Sequence, residues 1–425
     1  MSAAGKRGWR LAVCLSHPIQ YKVPLLRRLA AHPAIELTVY YYSNTGLVEK
    51  AHPDHGTTAK WDVPLLDGYV HEFLPNRWPE GERHPSFIGP YLNPALISRL
   101  SRMRYDAILI HSYVYPSDWL AWLVGKVRGI PVLFYGDVYP SAGMSAARRR
   151  LRRMLASAML RGSAACLAIG SVAAGVYRDY RVPPERVFSA PYAVDNDFFI
   201  AESARWRRHR LQLRAELGIA PDMPVVLCVA GMRPEKRQVD LVEAMARLQA
   251  PAQLVLVGQG PLLEEVRAFC ERRLPGTILT GFKNQSELPR YYALADVFVL
   301  PSLWDPFGLV VNEAMCAALP VIASDAVAAS RDLVRAGENG CVFPPGDVDA
   351  LAACLAPLVT DADLRQRCGQ RSLEMISTWS YDRTVQGILA ALEYASPQAM
   401  DRAQDRLDPR EEVAQNGAAM GDDGA

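Results

Sequence analysis

Asp305 and Glu313 stand on either side of Pro306-Phe307-Gly308, and an apolar run begins at Leu309. A proline and a glycine so close together break a chain, so a loop ends near Gly308 and a helix is expected from Leu309. The first N–H groups of such a helix lack intrahelical acceptors, which makes its start a seat for a phosphate. Glu313 falls four residues after Leu309, on the same helical face. A carboxylate cannot bind phosphate, but it accepts hydrogen bonds from neighbouring hydroxyls, and Asp305 offers a second one from the loop. Upstream, Gly231-Met232-Arg233-Pro234-Glu235-Lys236 places two cations after a β-branched run. Fixed positive charge is what a departing diphosphate requires; the chain is read as carrying no metal-binding D-x-D triplet to supply it, so no metal is expected. These residue types describe a pocket for a ligand carrying both a diphosphate and sugar hydroxyls.

The stretch from Asp305 to Glu313 resembles the E-x7-E motif of retaining glycosyltransferases with the GT-B fold, specifically glycosyltransferase family 4. The first acid here is Asp, which draws its carboxylate back by about 1.5 Å. The resemblance implies that Glu313 holds the ribose and Asp305 the sugar hydroxyls. Arg233 and Lys236 match the family's Arg and Lys, implying contact with the leaving phosphate. Gly231, Phe307, Gly308, Leu309 and Val310 would complete the donor site. Gly258-Gln259-Gly260-Pro261 matches a turn beside the nucleotide, where Gly258 and Gly260 either allow close approach to the ligand or make a tight turn. Gly281-Phe282-Lys283 resembles the segment whose backbone meets the nucleobase, and Phe282 either stacks on the base or fills core. Ser16-His17-Pro18-Ile19-Gln20-Tyr21 lies where many relatives carry a glycine-rich loop, and the Gly-Gly pair is missing here. His17 and His111, each at a strand end, and Gln20 in the loop after His17 are candidates for the acceptor side or for plain loop residues. Asp137 falls where many relatives carry a histidine near the sugar; ionised, it can accept a hydroxyl hydrogen bond and steady an oxocarbenium-like carbon.

The elements that must position these residues alternate strand and helix, which favours parallel sheets. Opening strands are expected over 10–16 and 225–230, each leading a run of alternating units. In the first half, strands are expected at 35–42, 107–110, 131–135 and 166–169, with a helix from Val172. The segment 190–199 is expected as a turn-rich loop, and 205–210 as a charged connector into a helix over 211–217. In the second half, strands are expected at 253–257, 277–280, 295–300 and 340–343, with helices at 262–272, 288–295 and 349–359. A late amphipathic pattern spans 371–395. The fold expected is α/β of the GT-B kind: two Rossmann-like doubly wound domains facing across a cleft. The domains are read as 1–204 for the acceptor and 205–375 for the nucleotide sugar, with 376–397 a helix crossing back and 398–425 a disordered tail.

Half of the 425 residues are hydrophobic and 22% are charged, enough for two ordinary cores. A net charge of +2 argues against bulk nucleic-acid binding. No apolar stretch reaches the roughly 18 residues a membrane span needs. The eight cysteines are scattered, several of them in apolar runs (Cys14, Cys166, Cys228, Cys316), and read as core residues of a reducing, cytoplasmic protein. Arg148, Arg149, Arg150, Arg152 and Arg153 crowd one basic helix beside an apolar stretch. That pattern fits an anionic membrane surface or a solvated face, with nucleic acid a third option.

The reading is a retaining glycosyltransferase that moves a hexosyl group from a UDP- or GDP-linked sugar to a hydroxyl on a carbohydrate or lipid-linked acceptor. It needs no cofactor besides that co-substrate. Surface polysaccharide or glycolipid synthesis is the setting the resemblance implies, on the inner face of a membrane or free in the cytoplasm. Two alternatives stay open: a nucleotide-sugar binding protein without transfer activity, and a nucleotide-sugar epimerase on a similar scaffold.

Overall fold

A computed structural model describes residues 8–47, 61–78, 89–137 and 145–397. The tail expected over 398–425 lies outside the described residues. The first sheet holds β1 (Trp9–Leu15), β2 (Ile35–Tyr41), β3 (Val70–Phe73), β4 (Ala107–Ile110), β5 (Val132–Tyr135), β6 (Ala165–Ala168) and β7 (Val187–Ser189). Its spatial order is β3-β2-β1-β4-β5-β6-β7, and every pair is parallel. The second holds β8 (Val225–Val229), β9 (Gln253–Val257), β10 (Ile278–Leu279), β11 (Val297–Leu300), β12 (Val321–Ser324) and β13 (Gly340–Phe343). Its order is β10-β9-β8-β11-β12-β13, again parallel throughout.

The central strands are near-continuous apolar runs because helices cover both their faces. All residues of β4, β8 and β11 are buried. In each sheet the strand order reverses beside the first strand, between β1 and β4 and between β8 and β11. Loops leaving such a reversal on opposite sides open a crevice at the carboxyl ends of the strands, where ligands of doubly wound sheets sit.

The apolar core runs unbroken from one sheet to the other through Tyr192, Val194, Phe199, Trp379 and Ile388. The helix Tyr381–Ala395 packs on the helix Val23–Ala31 and against β6 and β7. Tyr381 donates its hydroxyl to the Tyr21 carbonyl, and Thr384 donates to that of Pro191.

The structure departs from expectation in four places. The pattern over 371–395 is split between the helices Ala362–Ser377 and Tyr381–Ala395. The break falls at Trp379, whose indole N–H goes to the Tyr192 carbonyl, while Asn196 donates to the carbonyls of Ile376 and Trp379. The loop expected over 190–199 turns into the helix Asn196–Arg207, started by the Asp195 side chain accepting from the Phe198 N–H. The charged connector is structural: Arg210 and Arg214 converge on Asp296, which also accepts the Val225 N–H. Finally, Cys341 on β13 is joined to Cys354 in a disulfide, and the other six cysteines are free and buried.

Candidate active site

Two cavities open where the carboxyl edges of the two sheets face each other. The larger, of about 360 Å³, is bordered from the first sheet by His17 and Gln20 in the loop after β1. From the second sheet come Gly231 after β8, Gly258 after β9, and Phe282, Lys283 and Gln285 after β10. Leu309, Val310 and Glu313 reach it from the helix Leu309–Cys316. The smaller, of about 220 Å³, brings Asp137 from the end of β5 opposite Trp304, Asp305, Asp325 and Arg331.

Local sequence sets the edge that the second sheet gives the larger cavity. Gly308 is the residue before the helix Leu309–Cys316 and adopts φ +94°, where a Cβ would lie 2.7 Å from Val327 Cγ1. Only glycine lets the chain turn there and bring the first free N–H groups of the helix to the cavity wall. One turn in, the Tyr292 hydroxyl donates to Glu313 Oε2 at 2.6 Å. Burial pushes the Glu313 carboxyl up to about 7, against the pull of the Tyr292 hydrogen bond. Two amide oxygens on the cavity border, Gln20 Oε1 and Gln285 Oε1, are buried with no hydrogen-bond partner among the described residues. Buried acceptors of this kind are costly unless something donates to them.

Lys236 Nζ sits 2.5 Å from Asp305 Oδ2, and Asp305 Oδ1 accepts the Phe307 N–H. The pair therefore ties the cation expected on the phosphate to the carboxylate expected on the sugar. Arg233 lies 3.7 Å from Glu235. Neither Arg233 nor Lys236 borders the larger cavity, and Asp305 and Asp137 border only the smaller one.

Three candidates have a different place. Phe307 is buried, edge-on to Tyr192 and stacked on Trp379 at 6.3 Å, so its ring belongs to the core and only its backbone neighbours the site. Gly260 packs against the Met232 carbonyl, where a Cβ would lie 2.5 Å away, and serves the turn. His111 borders neither cavity; its Nδ1 accepts from Lys22 Nζ at 2.9 Å. Burial and the Lys22 charge hold the His111 imidazole well below its ordinary range, so it is neutral.

Sequence reasoning passed over Lys22, Asp118, Tyr292, Trp61 and Gln285. Lys22 is a buried lysine; desolvation lowers its ammonium to about 8, opposed by Asp137 and Asp118. Asp118, in the first turn of the helix Pro116–Arg128, takes the Tyr42 hydroxyl at 2.7 Å, and burial raises its carboxyl to about 8. A basic residue just ahead of an apolar helix looks like any solvated helix start, so nothing local marked it. The chain does contain D-x-D triplets, at 195–197, 347–349 and 361–363. Each opens a helix, with Asp195, Asp347 and Asp361 accepting N–H groups of the first turn. Among the described residues no group of three His, Cys, Asp or Glu could hold a metal ion.

Away from the cleft, the helix Ala146–Gly162 exposes Arg148, Arg149, Arg150 and Arg153 together with Leu151 and Met154. Arg152 instead donates to the Tyr113 hydroxyl. No helix among the described residues is long and apolar enough to cross a membrane.

Two family models match the chain: "Glycosyl transferase 4-like domain" over residues 8–193 and "Glycosyl transferases group 1" over residues 209–375. Sulfoquinovosyl transferase of Arabidopsis thaliana is 32% identical over 194 residues, covering 44% of this chain and 36% of that one. A GDP-mannose-dependent α-(1-6)-phosphatidylinositol monomannoside mannosyltransferase of Mycobacterium tuberculosis is 32% identical over 205 residues, covering 45% of this chain and 52% of its own. The chain thus spans about half or less of the length of these curated relatives. Among solved structures, HepE of Anabaena, crystallised with UDP, superposes with a TM-score of 0.70 at 18% identity, covering 91% of this chain and 99% of HepE. With both sheets, their switch-point cleft and both family models in agreement, the chain belongs to the GT-B glycosyltransferases of the family 4 type.

Proposed function

We propose that the protein transfers a sugar from a nucleoside diphosphate sugar to a hydroxyl acceptor, with retention at the anomeric carbon. The observation that carries this is the larger cavity, where a helix start, a half-buried glutamate and two unsatisfied amide oxygens border one space that reaches from the switch point of the second sheet to its β10 edge. The diphosphate lies against the N–H groups of Leu309 and Val310, with the positive end of the helix dipole behind them. Glu313 accepts the ribose hydroxyls. The sugar extends into the smaller cavity, between Asp305 and Asp137. Lys236 has three N–H donors; one is engaged by Asp305, and the others serve the phosphate oxygen that gains charge as the glycosidic bond breaks. Arg233 adds to the same charge. Transfer occurs on one face: the C1–phosphate bond breaks, the acceptor oxygen bonds to C1, and the acceptor proton passes to the leaving phosphate. A UDP-linked donor is favoured by the UDP in the HepE complex, and a GDP-linked one by the mannosyltransferase relative. The exposed arginine-rich helix fits a lipid-linked acceptor presented at an anionic membrane face.

The test is release of UDP or GDP from a panel of nucleotide sugars, with and without a lipid or oligosaccharide acceptor. Acceptor-dependent release supports transfer. Interconversion of the donor sugar without acceptor, or binding without turnover under any condition, refutes it.

A further inference from the structure

The sheet order fixes which end of the larger cavity takes which part of a nucleotide. The helix start beside Gly308 follows β11, Gly231 follows β8, Gly258 follows β9, and Phe282 to Gln285 follow β10 at the sheet edge. From β11 to β10 is three strand spacings, about 14 Å. With the diphosphate at the helix start and the ribose at Glu313, the base falls at the β10 end. There the wall is completed by the other half of the molecule. Trp61, which lies between β2 and β3 of the first sheet, borders the cavity with its ring centroid 6.1 Å from that of Phe282. The next residue, Asp62, accepts a hydrogen bond from Ser286, so the Trp61 segment is fastened across the cleft to the loop that carries Phe282 and Gln285. Trp61 also lies against the backbone of Gly46, which fixes the indole from behind. Gln285 is 9% exposed, and its Oε1 has no hydrogen-bond partner among the described residues.

We propose, resting on the donor reading above, that Trp61 and Gln285 are nucleobase-binding residues: Trp61 and Phe282, tilted against each other, form one aromatic wall on which the base lies, and Gln285 accepts a ring N–H. Uracil and guanine both present an N–H donor on the edge that pairs in nucleic acids, so a single amide oxygen serves either. Because the two rings of that wall belong to different halves, the base contacts both sides of the cleft. Occupancy by nucleotide therefore favours the closed arrangement before any acceptor arrives.

Calorimetric titration of the full chain with UDP, GDP and ribose 5-diphosphate, which lacks a base, tests this. Trp61→Ala is expected to weaken the better of the two nucleotides by about five- to 150-fold, the range for removing an aromatic partner from a stacked base. Trp61→Phe should restore most of the affinity. Gln285→Met should weaken the nucleotide at least fivefold, the loss of one hydrogen bond to a buried acceptor. Neither Trp61→Ala nor Gln285→Met should change ribose 5-diphosphate binding by more than twofold, which excludes a general loss of fold. If the parent binds a nucleotide and both variants bind it equally well, or lose ribose 5-diphosphate in the same proportion, the inference is overturned. If the parent binds neither nucleotide, the donor reading itself falls.

Discussion

Glu313 gives the sharpest prediction because its titration drives binding and stability in opposite directions. Burial raises its carboxyl from 4.5 to about 7 in the unliganded protein. A carboxyl whose folded value lies above its unfolded one binds its proton more tightly in the folded state. Stability of the unliganded protein therefore falls as pH rises from about 4.5 to 7, by up to about 3 kcal/mol; solvent in the cavity lowers that figure. Donor binding runs the other way, since an ionised carboxylate is the stronger acceptor for ribose hydroxyls. With half of the carboxyl ionised at pH 7 and about a tenth at pH 6, the apparent dissociation constant should rise about fivefold over that unit and approach a tenfold rise per unit below it. The rise ends where the neutral acid's own hydrogen bonding takes over. The ligand should be a nucleotide sugar, whose diphosphate diester has no group titrating in this range. Glu313→Gln keeps an acceptor for the Tyr292 hydroxyl and cannot titrate, so both trends should vanish. Calorimetry and thermal melting from pH 5.5 to 8 measure the two together. Parent affinity that stays flat over that range, or a slope equal in parent and Glu313→Gln, refutes the placement of Glu313 on the ribose.

The remaining expectations concern the parts around it. Gly308→Ala forces a Cβ into a left-handed conformation and against Val327; it should cost about 1–3 kcal/mol of stability and lower the melting temperature even without ligand. Lys236→Met leaves the 8%-exposed Asp305 without its cation. It should cost up to about 3 kcal/mol and depress kcat more than donor affinity, read from urea titration and steady-state kinetics together. The triple change Arg148→Ser, Arg149→Ser and Arg150→Ser should weaken binding to vesicles rich in anionic lipid by about 1 kcal/mol per arginine, leaving donor affinity unchanged in solution.

The architecture was legible because it rests on short, strongly apolar strands. The runs that became β4 and β9 were bounded to the residue, since strands inside a parallel sheet read as continuous apolar runs; β13, at a sheet edge with Cys341 and Val342 partly buried, was bounded as well. β3 (VHEF) was missed for the converse reason: it lies at the sheet edge with every residue at least partly exposed, so it carries no apolar signature. The helix break at Trp379 was equally hidden, because it is imposed by hydrogen bonds from Asn196 and to Tyr192, remote in sequence. At the site, Glu313 and the loop glycines were readable from local pattern. Lys22, Trp61 and Gln285 were not, since their places are set by contacts remote in sequence: Lys22 with His111, Trp61 with Phe282, and Gln285 on the cavity border. Cys14, Cys166, Cys228 and Cys316 are buried and free as expected, whereas the Cys341–Cys354 pair was not legible, since the two meet only once β13 and the helix Val348–Thr360 are packed.

Tyr192 explains how these remote contacts add up to one site. Its carbonyl accepts from the Trp379 indole and from Asn312 on the donor-side helix. Its ring touches Tyr21 in the loop after β1, Tyr135 at the end of β5, and Phe307 in the donor loop. The Lys22 ammonium lies 5.8 Å from its centre. One side chain thus stands between the loops after β1 and β5 of the first sheet and the Asp305–Gly308 loop of the second. Phe307 looks like a ligand contact in the linear motif, yet its physical task is to anchor the Asp305–Gly308 turn to that column. Ring packing of this kind is close-packed and yields poorly to small displacements, so the backbone N–H groups at the helix start are held at a fixed height above the cleft. The halves are tied on either side of this column as well: the Ser171 N–H goes to Asp332, and Ser286 donates to Asp62 beside the Trp61–Phe282 contact, so the cleft is pinned at both ends as well as at its middle.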